Sequence, residues 1–289
     1  MRSFTLSSPA KINLYLRILN RRPDGYHNLV TLFHRISLAD QITLQKIPSG
    51  FFLRCSNPSL PVDETNLITR GYRLLQKKFP YLGGVKVQLI KKIPVGAGLG
   101  GGSGNAATFL LGMKKMFGLK ISQKELLKMG GMLGSDVPFF LLNTQQAIGL
   151  GRGEKLRKLP SKRVLWFLLI LSNKGLRTKD VYETLPRNLA PASLTKAEAA
   201  VKLLCNLLQE KKIRQIQDHL KNDLESPAFQ LRPSLGKRIA GLRSKGIVAQ
   251  MSGSGPTVFA VLTSQKEARR LAQRLRIKKS ERIFVCHTQ

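Results

Sequence analysis

Six glycines fall among the nine residues 96 to 104, within the run Pro94-Val95-Gly96-Ala97-Gly98-Leu99-Gly100-Gly101-Gly102-Ser103-Gly104. A backbone without side chains can come close to a polyphosphate. Its successive N–H groups, together with the positive end of a following helix, cradle negative charge. Val85 to Ile90 alternates like a strand before the run, and Ala106 to Met113 reads as an apolar helix start after it. The run is not a Walker A loop, because that motif ends Gly-Lys-Ser/Thr and no lysine follows before Lys114. A GxGxxG at Gly96, Gly98 and Gly101 points weakly to a dinucleotide, yet a second helical segment, Ser122 to Leu133, stands where that fold wants a strand. The bland reading is a surface turn. Each glycine loses extra conformational entropy on ordering, so six of them favour phosphate binding over a plain loop.

Acids are scarce, 16 Asp+Glu against 49 Lys+Arg, which makes each one informative. Asp136 is the only carboxylate between Glu125 and Glu154, in Gly134-Ser135-Asp136-Val137-Pro138. A carboxylate that takes a proton from a hydroxyl wants a half-buried place beside a phosphate loop. Ser-Asp shortly before Pro is equally the signature of a helix cap or turn, so both readings stand. Near the start, the alternation Ile12, Leu14, Leu16 predicts a half-buried strand with Lys11, Asn13 and Tyr15 on its other face. Lys11 there suits either a solvated position or a fixed cation. The turn Arg22-Pro23-Asp24-Gly25 presents Tyr26 and His27, which suit either packing on the next strand or contact with a flat ring.

The elements that must position these residues follow from periodicity. Strands are expected at 3–6, 8–16, 29–38, 40–46 and 147–149, and helices at 66–79, 105–117 and 122–133. A basic stretch bearing Gly and Pro, Gly151 to Lys162, marks a seam, so two domains are expected, 1–158 and 159–289. Beyond it a buried-type strand, 163–171, precedes helices near 179–185, 195–209, 213–222 and 232–244. The strands 246–251 and 257–262 form a hairpin around a second glycine loop, Ser252-Gly253-Ser254-Gly255-Pro256, and a helix at 265–275 and a strand at 282–286 end the chain. Antiparallel pairing with helices on one side is α+β.

With 289 residues and 42% hydrophobic content the chain is globular, and its longest apolar stretch, Val164 to Leu171, is far short of the roughly 20 residues of a membrane helix. Three widely spaced cysteines, Cys55, Cys205 and Cys286, suit reduced thiols in a cytoplasm better than a disulfide frame. A net charge of +33 invites nucleic acid as a partner, but the cations are spread through nearly every segment without interleaved aromatics. That argues against nucleic acid as the main partner and for a solvated basic surface that steers anionic substrates.

Three segments together, Pro9-Ala10-Lys11-Ile12-Asn13-Leu14, Pro94 to Ala107, and Met251-Ser252-Gly253-Ser254-Gly255-Pro256-Thr257, resemble the three motifs of the galactokinase, homoserine kinase, mevalonate kinase and phosphomevalonate kinase (GHMP) superfamily. Within it, Arg22 to His27, Gly98 to Gly102 and Gly134 to Pro138 are similar to the branch that phosphorylates a cytidine-diphosphate-linked methylerythritol. The resemblance runs nearly the full length. It implies a two-domain GHMP-kinase fold, with an N-terminal domain like the second domain of ribosomal protein S5 and a C-terminal ferredoxin-like α/β plait.

The activity implied is ATP-dependent phosphorylation of the 2-hydroxyl of that polyol, in the non-mevalonate route to isoprenoids, by a monomer or homodimer using ATP and magnesium. Asp136 would take the hydroxyl proton, and Lys11 would hold the carboxylate and the nucleophile. Residues 94–104 would hold ATP, and Asn13, Tyr26, His27, Thr178 and Tyr182 the cytosine and the polyol. The family commonly has Ser-Ser-Asn-Ala-Ala after the glycines. This chain has Ser103-Gly104-Asn105-Ala106-Ala107, one hydroxyl fewer, and the resemblance assigns no magnesium ligand.

Overall fold

Alternating apolar residues in the first fifty positions build two long strands, β1 (Ser3–Arg21) and β2 (His27–Ile47), where four shorter ones are expected. The breaks expected at Ser7 and Ala39 are absent, both residues lying inside the strands. The computed structural model describes residues 3–160, 163–186, 191–210 and 212–289. The chain continues through β3 (Phe51–Cys55), α1 (Leu67–Lys78), β4 (Gly84–Ile90), α2 (Gly101–Phe117), α3 (Gln123–Leu133), α4 (Val137–Leu141), β5 (Gln146–Gly151) and β6 (Lys155–Leu159). It then forms β7 (Trp166–Ser172), α5 (Thr178–Glu183), α6 (Leu194–Gln209), α7 (Ile213–His219), β8 (Lys221–Asn222), α8 (Glu225–Leu231) and α9 (Pro233–Arg243). The last elements are β9 (Ala249–Met251), β10 (Val258–Leu262), α10 (Gln265–Arg274) and β11 (Glu281–His287). The strand β6 falls within the expected seam, whose last two residues, Ser161 and Lys162, lie outside the described residues.

The chain divides into two compact units of interleaved segments. One comprises the chain up to Ala10, Leu38–Ile93 and Gly100–Asn143. In it β4 pairs antiparallel with the later half of β2 and parallel with β3. Helix α2 lies on the sheet, since a Cβ at Gly112 would run into Leu44 and Leu6, and α1 lies against α2, with Gly71 facing the ring of Phe109. The ends of the helices are set locally: Asn66 caps α1 through Ile68 N–H, and Ser122 with Glu125 forms a capping box on α3.

The other unit comprises Lys11–Ser37, Pro94–Leu99 and Thr144–Gln289. Its own sheet has the order β11-β7-β10-β9, antiparallel throughout, and the expected hairpin is present, Val258 pairing with Met251. Helices α5, α8, α9 and α10 cover a core of Leu16, Ile18, Leu168, Ile170, Val181, Ile239, Val258 and Ala260. The earlier half of β2 pairs with β5, and Tyr15 and Leu16 of β1 pair with β8. Every residue of β1 from Ala10 to Leu16 is buried, so this strand is covered on both faces and is not half-buried as its alternation implies.

Candidate active site

Gly96, Gly98 and Gly100 have φ of +63°, +74° and +68°, the left-handed region that side chains disfavour, while Ala97 and Leu99 between them are buried. The pattern Gly-Ala-Gly-Leu-Gly is therefore a backbone requirement: alternate residues turn where only glycine goes easily, and the residues between anchor the loop. At Gly98 a Cβ would collide with the carbonyl of Ser252 in the second glycine loop, so the two loops touch main chain to main chain. Ser252 Oγ donates to the Gly98 carbonyl at 2.9 Å, Leu176 N–H to Gly96 at 3.2 Å and Lys11 N–H to Leu99 at 3.0 Å. Such a loop leaves N–H groups free to bind oxygen and admits a polyphosphate without side-chain obstruction.

Beneath it lies a polar knot. Lys11 Nζ donates to Asn13 Oδ1 at 2.6 Å, Asn13 Nδ2 donates to Thr31 Oγ1 at 2.7 Å, and Thr31 Oγ1 donates to the Tyr15 carbonyl at 2.8 Å. The Asn13 N–H donates to Ser252 Oγ at 3.3 Å, and all five residues are buried. The Lys11 ammonium also lies 5.5 Å from the centroid of the Phe33 ring, a cation–π distance. Gly253 has φ +54°, and a Cβ there would come within 3.1 Å of Asn13 Oδ1 and 3.5 Å of Lys11 Nζ. The first and last of the three sequence motifs thus meet around Lys11, which is a fixed, buried cation and not a solvated one.

The turn after β1 is built by Asp24, whose carboxylate accepts from Tyr26 N–H at 3.1 Å and pairs with Arg22, while Gly25 takes φ +81°. It leaves Tyr26 exposed, with the Arg152 guanidinium 4.9 Å from its ring centroid. His27 lies 5.4 Å, centroid to centroid, from Tyr182 at a tilt of 32°. Burial and nearby Arg21 hold His27 below its ordinary pKa, so its ring is neutral at pH 7 and has one donor and one acceptor nitrogen. Thr178 and Ser254 hydroxyls are 2.9 Å apart. Of the expected substrate residues, His27 and Tyr182 thus touch each other, Thr178 touches Ser254 of the loop 252–255, Asn13 belongs to the Lys11 knot and Tyr26 lies against Arg152.

In the first unit the run ends as the N-terminus of α2. Gly100 takes the left-handed conformation at the cap, with no side-chain capping bond and no acid in the first turn. Its N–H groups and helix dipole are thus available to an anion. Ser103 Oγ stands in this first turn, near where a Gly134 Cβ would lie, two residues before Asp136. Asp136 is half-buried at the N-cap position of α4, yet its side chain makes no capping bond, so the cap reading does not account for it.

The Gly104 substitution has a steric reason: a Cβ there would stand 2.8 Å from the Pro9 carbonyl and 3.3 Å from Ser8 Oγ.

Periodicity passed over one cluster in this unit. Asp40, fully buried in β2, accepts from Lys92 N–H at 2.7 Å, Ile93 N–H at 2.8 Å and Asn105 Nδ2 at 2.9 Å, and pairs with the Lys91 ammonium. Lys91 also donates to Asn105 Oδ1 at 3.1 Å, and Asn105 donates to Ser8 at 2.9 Å. One carboxylate thereby fixes the corner from which the glycine run departs. The only signal in the sequence was an acid in an apolar strand of a chain poor in acids.

A glycine-rich phosphate loop, bonded to a buried lysine strand and to a second glycine hairpin in an α+β chain, defines a class of small-molecule phosphotransferase. The two halves of that class are matched directly: the family "GHMP kinases N terminal domain" at residues 66–144 and "GHMP kinases C terminal" at 200–281. The 4-diphosphocytidyl-2-C-methyl-D-erythritol kinase of Nostoc punctiforme is 39% identical over 311 residues, covering 100% of this chain and 96% of the relative. That of Syntrophus aciditrophicus is 40% identical over 263 residues, covering 91% of each. A solved 4-(cytidine 5'-diphospho)-2C-methyl-D-erythritol kinase superposes with a TM-score of 0.82 at 32% identity, covering 99% of this chain and 100% of that one. Homoserine kinase from Cytophaga hutchinsonii, at 20% identity and a TM-score of 0.77, shares the fold. The chain belongs to the 4-diphosphocytidyl-2-C-methyl-D-erythritol kinase family of the GHMP kinases, and its membership entails the use of ATP.

Proposed function

We propose that this chain transfers a phosphoryl group from ATP to the 2-hydroxyl of 4-diphosphocytidyl-2-C-methyl-D-erythritol, a step of the non-mevalonate isoprenoid route. The observation that carries the reading is the bonding of Lys11, Asn13, Ser252 and Gly98 into one knot, in a chain 39% identical along its full length to a kinase named for that substrate.

Phosphoryl transfer needs chiefly positioning and neutralisation of charge. ATP supplies the electrophilic phosphorus, and magnesium would neutralise its polyphosphate. The oxygens of Asp136 and Ser103 are donors of the kind magnesium takes. The left-handed glycines 96, 98 and 100 and the first turn of α2 aim N–H groups at the polyphosphate. In this reading Asp136 accepts the hydroxyl proton, and Lys11, held by Asn13, supplies the cation for the oxygen that attacks. Tyr26, His27 and Tyr182 take the cytosine, the neutral imidazole reading its edge, and Thr178 and Asn13 take hydroxyls of the ligand.

The main partner is thus a small molecule. By sequence order we assign residues 1–158 to an ATP-binding domain and 159–289 to a C-terminal domain, the two family matches falling on either side of that cut, while the second compact unit also takes in Lys11–Ser37, Pro94–Leu99 and the chain from Thr144. Three free cysteines suit a reducing cytoplasm, and no helix among the described residues is long and apolar enough to cross a membrane. A coupled assay of ADP release over a panel of alcohols tests the reading: turnover is expected with the cytidine-diphosphate substrate, and turnover only with mevalonate or homoserine would replace it.

A further inference from the structure

Between Arg269 and Lys279 the chain carries six cations in eleven residues, Arg269, Arg270, Arg274, Arg276, Lys278 and Lys279, and no acid. All six are exposed, and none is ion-paired to a carboxylate among the described residues. The two flanking acids are used elsewhere. Glu267 accepts from Thr263 N–H and Oγ1, and Glu281 pairs with Arg238 and accepts from Lys278 N–H. The cations therefore present an uncompensated positive stripe along α10 and the loop to β11.

What such a stripe fits is set by what it lacks. Leu271, Ala272 and Leu275 of the same segment pack against the core of their unit, so α10 keeps no apolar face to sink into a bilayer. No aromatic residue stands between Ser264 and Ile283, so unpaired bases find nothing to stack on. Ile277 is the one exposed large apolar side chain among the cations, too little for a bilayer to hold, and a row of cations without stacking rings matches closely spaced phosphodiesters. The geometry points to a second binding surface, separate from the kinase site: α10 and the 275–280 loop bind the phosphate backbone of duplex nucleic acid without regard to sequence. This gives part of the excess charge a second use beside the steering of anionic substrates.

The test is fluorescence anisotropy on the full chain with labelled mixed-sequence 20-base-pair DNA and RNA duplexes at several salt concentrations. One variant carries Gln at the six positions. A control carries Gln at six exposed lysines outside the stripe, Lys77, Lys86, Lys120, Lys124, Lys128 and Lys202, giving the same net charge. The stripe variant is expected to bind at least tenfold more weakly and to flatten the salt slope by about 0.9 for each phosphate it no longer neutralises. It should retain kinase turnover, which confirms its folding, while the control binds duplex like the parent. The DNA and RNA arms show which duplex is held more tightly. Equal weakening in both variants, undiminished binding by the stripe variant, or binding to phosphatidylglycerol vesicles but to neither duplex would each overturn the proposal.

Discussion

Lys11 donates from Nζ to Oδ1 of Asn13 at 2.6 Å, and both side chains are buried, at 4% and 2% exposure. A buried ammonium depends on its acceptors, since leaving one unsatisfied costs about 1–3 kcal/mol. Asn13→Leu is therefore expected to lower the unfolding free energy by that amount and to reduce kcat more than the KM for ATP. Urea unfolding and steady-state kinetics check the two halves separately.

Asp136 sits at a helix cap position without making a capping bond, so its replacement removes no cap. Asp136→Asn should lower kcat by about 10²- to 10⁴-fold, the range for a lost general base. Turnover undiminished in this variant would remove Asp136 from the mechanism.

The cytosine assignment rests on the contact between His27 and Tyr182. An aromatic pair is worth about 0.5–1.5 kcal/mol, so Tyr182→Ala should raise the KM for the cytidine-diphosphate substrate by roughly two- to tenfold and leave the KM for ATP unchanged. Equal rises in both constants would mean that Tyr182 supports the fold and not the base.

Restoring a side chain at residue 104 is expected to fail. Gly104→Ser brings a Cβ to 2.8 Å from the Pro9 carbonyl, an overpacking worth about 1–3 kcal/mol, so thermal melting should fall with no gain in magnesium affinity.

His34 gives a pH dependence. Burial pushes its pKa down to about 3, while its nitrogens bond Thr288 Oγ1 at 2.9 Å and Gln146 Nε2 at 2.7 Å. The folded chain keeps it neutral, and the unfolded chain protonates it below about 6.5. This group therefore costs nothing above that pH and removes stability as pH falls from 6.5 towards 3, about 2 kcal/mol at pH 5. His34→Gln should flatten the pH dependence of the unfolding free energy between pH 7 and 5.

Legibility followed locality. Alternating Gly96, Gly98 and Gly100 could be read because only glycine takes those φ values readily, and the helices 67–78, 123–133 and 194–209 because their caps and periodicity lie within a few residues of each other. The cluster of Asp40, Lys91 and Asn105 could not, because its partners come from three distant segments and nothing in either neighbourhood selects them. The half-buried reading of β1 failed for the same reason: Lys11 and Asn13 look like a wet face until Ser252 and Thr31 arrive. Elements of five to seven residues, β3, α4, β6 and α8, were too short for their periodicity to declare itself, and β6 was hidden by its basic composition.

The hydrogen bond from Asn13 to Ser252 joins positions 239 apart. Closing a loop of that length costs about 5 kcal/mol of chain entropy before any contact repays it. During synthesis Lys11 and the phosphate loop emerge well before the hairpin that bonds both. Synthesis therefore runs 154 residues beyond Gly98 before its partner Ser252 is made, and a nascent fragment that already carries the nucleotide loop is still without the Ser252 hydroxyl and the Thr257 N–H that hold it in shape.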